Sequence, residues 1–233
     1  MPKSIHTIIL DLGGVLLDLN MPRSLKAFEA LGIDTQTILS SEPSDRPSAT
    51  ICEGLSATGA MLLYQIGKIT TDQFLTGLLS LCHPGTTHQQ VLDAWNACLL
   101  DIPLFKLKAI QQLRQQGYKL CLLSNTNEAH WQRISQDCFP QPPAHYFDHL
   151  FLSQEMGLAK PDPLIFQTVL QQIDAQPQEC LFIDDAQVNC DAAAALGIHT
   201  YKTDRARLTP QDSIVRPAND WTNVIHRLLS DPT

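Results

Sequence analysis

The sequence predicts an α/β protein: a parallel sheet with helices on both faces, interrupted after its first strand by a block of helices. Three observations carry this. Short apolar runs stop at polar residues around 5–10, 118–123 and 180–183. Amphipathic helical patterns alternate with such runs over most of 100–200, and strand–helix alternation builds parallel sheets. Between 20 and 98 helical patterns recur and no strand is evident.

The elements follow in order. Ile5 to Leu10 reads as a buried strand ending at Asp11, with Gly13 and Gly14 marking the turn beyond it. The block 20–98 holds helical patterns near 23–31, 56–66, 71–82 and 87–99, and Thr87 with Gln90 is spaced for a capping box. Its stretch 40–50, SSEPSDRPSAT, reads as a mobile loop. A helix is expected from Pro103 to Gln116, started by Asp101 and Pro103 and stopped at Gly117, with Leu104, Leu107, Ile110 and Leu113 on one face.

The next strand is YKLCLL at 118–123, ending at Ser124-Asn125. FPQPPAH at 139–145 is a proline-rich loop, and LFL at 150–152 is a further short strand. Asp162-Pro163 supplies an N-cap and first-turn pair for a helix over 163–173 that buries Ile165, Phe166, Val169, Leu170 and Ile173. CLFI at 180–183 runs into Asp184-Asp185, an alanine-rich helix over 186–196 ends at Gly197, and IHTY at 198–201 is the last strand. A helix over 219–229 closes the chain. The predicted division is a core of 1–19 with 99–233, and an inserted helical block of 20–98.

Composition narrows the function. With 233 residues, 44% hydrophobic and 17% charged, the chain is long and apolar enough for one core plus a smaller subdomain. A net charge of -8 argues against nucleic acid, whose backbone needs a basic face. A small phosphate remains compatible, provided positive charge is focused locally. The seven cysteines, Cys52, Cys82, Cys98, Cys121, Cys138, Cys180 and Cys190, are odd in number and include no CxxC. They read as free core thiols in a cytoplasmic protein rather than as zinc ligands or a disulfide framework. No run approaches the ~20 apolar residues of a membrane span, and the N-terminus is too short and polar for a signal peptide.

Ligands of open parallel sheets bind beyond the carboxyl ends of the strands. Three strands here end in reactive groups: Asp11, Ser124-Asn125 and Asp184-Asp185, and Lys160 lies in the loop after the short strand at 150–152. Carboxylates, a hydroxyl and a lysine therefore converge on one sheet edge, and oxygen ligands of this kind suit Mg²⁺.

Four segments, in this order, carry a resemblance: IILDLGGVLLD, LCLLSNTNE, GLAKPDPLIF and LFIDDAQVN. They resemble the four motifs of haloacid dehalogenase-superfamily hydrolases, and the resemblance covers 1–19 and 99–200. It extends to bacterial sugar-phosphate phosphatases and the phosphatase domain of soluble epoxide hydrolase. The resemblance implies a three-layer Rossmann-like core with an inserted helical cap, and a phosphatase acting on a small phosphorylated metabolite, a sugar phosphate by default.

It also implies roles. Asp11 is the nucleophile and binds Mg²⁺ through its second oxygen. Asp185 is the more direct acidic ligand, on the argument that Asn189 lies four residues on, with Asp184 ligating through water or orienting it. The Gly13 carbonyl completes the protein's ligands. Ser124 and the Asn125 amide hold phosphoryl oxygens, and Lys160 neutralises charge on both nucleophile and phosphoryl group. The implied partner is the small phosphorylated substrate alone, with neither nucleic acid nor membrane, and the expected assembly is a monomer or weak homodimer.

One position departs from the pattern. Most phosphatases of this kind carry a second aspartate where this chain has Gly13, and that residue protonates the leaving group. A general acid is worth roughly 10²- to 10⁴-fold. The enzyme is then slow on ordinary esters, or prefers a leaving group that needs no proton, or takes its acid elsewhere, with Asp18 a candidate. Two other readings stand beside the phosphatase: a metal-independent haloacid dehalogenase, and a phosphate-binding regulatory protein on an inactive scaffold. His145 and His149 sit four apart but lack an intervening glutamate, and read as packing or surface histidines. Trp95 and Trp131 read as packing residues. The glycine pair at 13–14 is not a dinucleotide fingerprint, because GxGxxG is absent.

Overall fold

A computed structural model describes residues 5–34, 57–209 and 213–230. Five strands form one parallel sheet in the order β3-β2-β1-β4-β5, with β1 Thr7–Leu10, β2 Lys119–Ser124, β3 His149–Leu152, β4 Cys180–Asp184 and β5 His199–Lys202. The strand at 150–152, short in sequence, is a full member of the sheet, paired through Cys121↔His149 to Ser124↔Leu152. An antiparallel pair, β6 Arg207–Leu208 and β7 Ile214–Val215, lies outside it.

The period of two along each strand makes the layers. Ile8, Leu10, Leu120, Leu122, Leu181 and Ile183 enter one apolar cluster with Leu107, Ile110, Leu113 and Trp221. Ile9, Cys121, Leu123, Cys180 and Phe182 enter the cluster on the opposite face, with Ile165, Phe166, Val169 and Ala193. Both faces of β1 are buried, which is why its sequence is a continuous apolar run. The result is a three-layer α/β/α core.

Local signals account for most helix ends. Asp162 caps the helix Pro163–Ile173 by accepting from the Leu164 amide at 2.9 Å, with proline in the first turn. Within it Leu170 is only partly buried, unlike Ile165, Phe166, Val169 and Ile173. Thr70 and Thr87 each close a capping box, on Thr71–Leu79 and His88–Asn96. The helix Leu104–Gln115 departs from expectation at its start. Pro103 is its N-cap and makes no side-chain bond, so Asp101 is not the cap. Leu104 is 64% exposed. Lys106 is buried instead, and its Nζ donates to the Val15 carbonyl at 2.5 Å.

A helix over Glu128–Asp137 had no counterpart in the sequence reading. Only Ala129 and Ile134 of its residues are buried, so it carries no apolar stripe to find. The helical block after β1 comprises Met21–Ala30, Ala57–Gln65, Thr71–Leu79 and His88–Asn96 among the described residues. It has its own apolar cluster around Phe28, Tyr64, Phe74 and Val91, and the chain enters and leaves it through a bridge between Leu19 and Leu99. The expected loop at 40–50 and Cys52 lie outside the described residues. The six described cysteines are free, and no described helix is long and apolar enough to cross a membrane.

Candidate active site

The carboxyl ends of β1, β2 and β4 converge at one edge of the sheet, as their parallel order requires. Asp11 follows β1, and its amide donates to the Ile183 carbonyl at 2.9 Å, which ties it to β4. Ser124 is the buried last residue of β2, and Asn125 follows. Asp184 ends β4 fully buried, and Asp185 is next to it. Carboxylate oxygens of Asp11, Asp184 and Asp185 lie within 4.8 Å of one another, the one such acidic group among the described residues that is competent to hold a metal ion.

Lys160 organises the cluster. Its Nζ donates to Asp11 Oδ1 and to Asp184 Oδ2, each at 2.7 Å, and to the Leu123 carbonyl at 2.9 Å. Its backbone is fixed by Asn125: the Lys160 amide donates to Asn125 Oδ1 at 2.8 Å, and Asn125 Nδ2 donates to the Lys160 carbonyl at 2.7 Å. The electrostatics follow from this burial. Desolvation raises the Asp11 pKa above its ordinary value; Lys160 opposes that rise and Asp184 adds to it. Desolvation works to lower the Lys160 pKa, but Asp11 and Asp184 outweigh it, so the ammonium is held above its usual range.

The two acids at the end of β4 have different surroundings. Asp184 accepts from Lys160, from the Ala186 amide at 2.8 Å, and from Asn189 Nδ2 at 3.1 Å on each oxygen. Asn189 therefore supports Asp184 and not Asp185, which corrects the spacing argument. The helix that follows, Gln187–Ala194, has Ala186 as its N-cap. The carboxylate of Asp185 is ion-paired with Arg205, a residue that the sequence reading did not single out.

The other candidates are placed clearly. Gly13 faces Leu19: a Cβ there would lie 3.1 Å from Leu19 Cδ1. Asp18 is outside the acidic cluster and both of its oxygens accept from Arg216, at 3.1 and 2.7 Å. Its backbone bonds Asp101 and Leu100, so it anchors the link to the helical block. The guanidinium of Arg216 thus lies across both Asp18 oxygens, and this carboxylate serves the link to the helical block rather than the acidic cluster. His149 stacks on Phe151, and the His145 carbonyl accepts from Arg114; neither joins the acidic cluster.

The helical block contacts the loop beyond β2 directly. Trp95 Nε1 donates to Asn127 Oδ1 at 3.2 Å, and the Ala129 amide donates to the Tyr64 hydroxyl at 3.0 Å. Trp95 also stacks on His130 at 4.8 Å, and burial pushes that imidazole down to about 4. Trp131 packs at the edge of the main core.

Comparison with known proteins gives a consistent result. The family of haloacid dehalogenase-like hydrolases matches residues 5–197. A D-ribitol-5-phosphate phosphatase of Bacteroides thetaiotaomicron is 31% identical over 205 residues, covering 85% of this chain and 91% of that protein. Bifunctional epoxide hydrolase 2 of Sus scrofa is 32% identical over 98 residues, which is 40% of this chain and 17% of that one. A crystal structure of a haloacid dehalogenase-family enzyme of Bacteroides thetaiotaomicron, in complex with magnesium and inorganic phosphate, superposes with a TM-score of 0.77 at 32% identity, covering 89% of this chain and 98% of that one.

Proposed function

The chain belongs to the haloacid dehalogenase-like hydrolase family, and we propose that it is a Mg²⁺-dependent phosphatase that hydrolyses a small phosphorylated metabolite through Asp11. The observation that carries this reading is the Lys160 ammonium, bonded at 2.7 Å to both Asp11 and Asp184. It ties a carboxylate nucleophile to the acidic end of β4, at the sheet edge where such folds bind ligands. A sugar or polyol phosphate is the proposed substrate class, supported by the likeness to a D-ribitol-5-phosphate phosphatase along most of both chains. The helical block is proposed to act as a cap over this edge.

The residues fit a hard divalent cation. The donors are all oxygens, and the three carboxylates reach within 4.8 Å of one another. Asp11, Asp185 and the Gly13 carbonyl are proposed to hold the ion. Asp184 is proposed to orient the site, since Lys160, Asn189 and the Ala186 amide already occupy its oxygens. A bound Mg²⁺ supplies positive charge that offsets both the phosphoryl group and the carboxylates.

In the proposed reaction Asp11 attacks phosphorus, the bond to the metabolite's oxygen breaks, and that oxygen leaves with the bonding pair and takes up a proton. Water then attacks the aspartyl phosphate, releasing inorganic phosphate and restoring the carboxylate. The Ser124 hydroxyl and the Asn125 amide donate to phosphoryl oxygens, and Lys160 offsets charge on the nucleophile. Gly13 offers no acid, and Arg216 occupies Asp18. The leaving oxygen is proposed to take its proton from solvent, so aryl phosphates are expected to be cleaved faster than sugar phosphates.

Phosphate release from an aryl phosphate and from sugar phosphates, with and without Mg²⁺, tests the reading. Turnover should need both the metal and Asp11. Release that survives in Asp11→Asn overturns it.

A further inference from the structure

Asp185 and Asp184 are neighbours, but their counter-charges differ. Lys160 serves Asp11 and Asp184 from inside the core. Among the described residues Asp185 is ion-paired with Arg205 alone. The Asp185 side chain is 4% exposed and the Arg205 side chain 55%. A desolvated carboxylate thus has for its counter-charge a guanidinium that is largely in water. A buried carboxylate needs a cation, whereas a half-exposed arginine loses little by leaving.

The contact is built into the backbone on both sides. Gly14 has φ +82, and a Cβ on it would meet Asp185 Oδ2 at 2.6 Å and both Cγ and Nε of Arg205 at 2.9 Å. Only glycine leaves room there for the arginine to lie against Asp185. The loop that carries Arg205 is anchored two residues earlier: the Thr203 amide donates to the Asp184 carbonyl at 3.0 Å, and Thr203 Oγ1 donates to the Asn219 carbonyl at 3.1 Å. Arg205 also lines a cleft of about 190 Å³ together with Asp204, Arg207, Val215, Arg216 and Pro217.

We propose that Arg205 is an internal cation that occupies Asp185 in the metal-free protein, and that Mg²⁺ must displace it to bind. Arg205 thereby sets the metal affinity of the site from outside the set of metal ligands. This rests on the metal reading above. An apparent dissociation constant is the intrinsic one divided by the fraction of protein in the competent state. An arginine seated about nine-tenths of the time therefore weakens Mg²⁺ binding about tenfold.

The test is calorimetric titration of the metal-free protein with Mg²⁺, without substrate, comparing the parent with Arg205→Ala, Arg205→Gln and Asp185→Asn. Arg205→Ala and Arg205→Gln should bind Mg²⁺ up to about tenfold more tightly. Thermal melts give a second readout: both arginine variants should melt below the parent without metal and level with it at saturating Mg²⁺. Metal binding in the parent that Asp185→Asn abolishes, but that both arginine variants leave unchanged or weaken, overturns the inference alone. Absence of Asp185-dependent Mg²⁺ binding in the parent overturns the metal reading and this inference with it.

Discussion

The Asn125 carboxamide is bonded at both ends to the backbone of Lys160, at 2.8 Å from the lysine amide and 2.7 Å to its carbonyl. The loop after β2 thereby fixes where the lysine enters the core, and the lysine in turn fixes Asp11 and Asp184. Removing the clamp in Asn125→Ala should lower kcat by about 100-fold, the cost of ångström-scale misplacement, with Mg²⁺ affinity kept. Steady-state kinetics beside a metal titration checks this, and an unchanged kcat contradicts it.

Gly14 has a positive φ and Asp185 Oδ2 within 2.6 Å of where a Cβ would stand. Gly14→Ala should therefore lose roughly 1–2 kcal/mol from the left-handed conformation alone, and should change Mg²⁺ affinity, because the new Cβ crowds both Asp185 and the Arg205 seated on it. Denaturant melts and metal titration read the two effects separately. Wild-type values in both would show that neither the conformation nor the close approach matters.

At Gly13 the obstacle is a side chain rather than the backbone. Leu19 Cδ1 lies 3.1 Å from a Cβ built there. Gly13→Asp should gain little by itself. Paired with Leu19→Ala it should raise turnover of sugar phosphates relative to an aryl phosphate by roughly 10-fold or more, as a restored general acid does. An unchanged ratio in the double variant would mean that the proton already comes from a well-placed group.

Burial holds the Asp11 carboxyl above its ordinary value of 3.8, against the pull of Lys160 and with a push from Asp184. Between the unfolded and folded pKa values the folded, metal-free protein keeps a proton that the unfolded chain has released. Stability from this group therefore falls as pH rises through that window. Lys160, pushed upward, stays charged throughout it. Asp11→Asn lacks the titration, so the melting temperature of the parent relative to Asp11→Asn should drop as pH rises from about 4. A difference that is flat with pH contradicts the assignment.

What the sequence made legible was local. Asp11, Ser124 and Asp184 each stand where an apolar strand stops, so their meeting at one edge follows from a parallel sheet. What it hid was long-range or lacked a stripe. Arg205 reaches Asp185 across twenty residues and Arg216 reaches Asp18 across 198, with no spacing to announce either. Asn189 lies four residues from Asp185 and five from Asp184, and the fold uses the second relation. The helix Glu128–Asp137 buries two residues only, and its local signals were Asn127, which caps it by accepting from the His130 amide, and Glu128 in its first turn.

Passage of the phosphoryl group through Asp11 is tested by mass mapping of rapidly acid-quenched reactions with an aryl phosphate and Mg²⁺. One phosphoryl group on the peptide containing Asp11, appearing during turnover and lost in Asp11→Asn, is the predicted result. Turnover with no phosphoryl group on that peptide at any quench time, and with activity retained in Asp11→Asn, would contradict it.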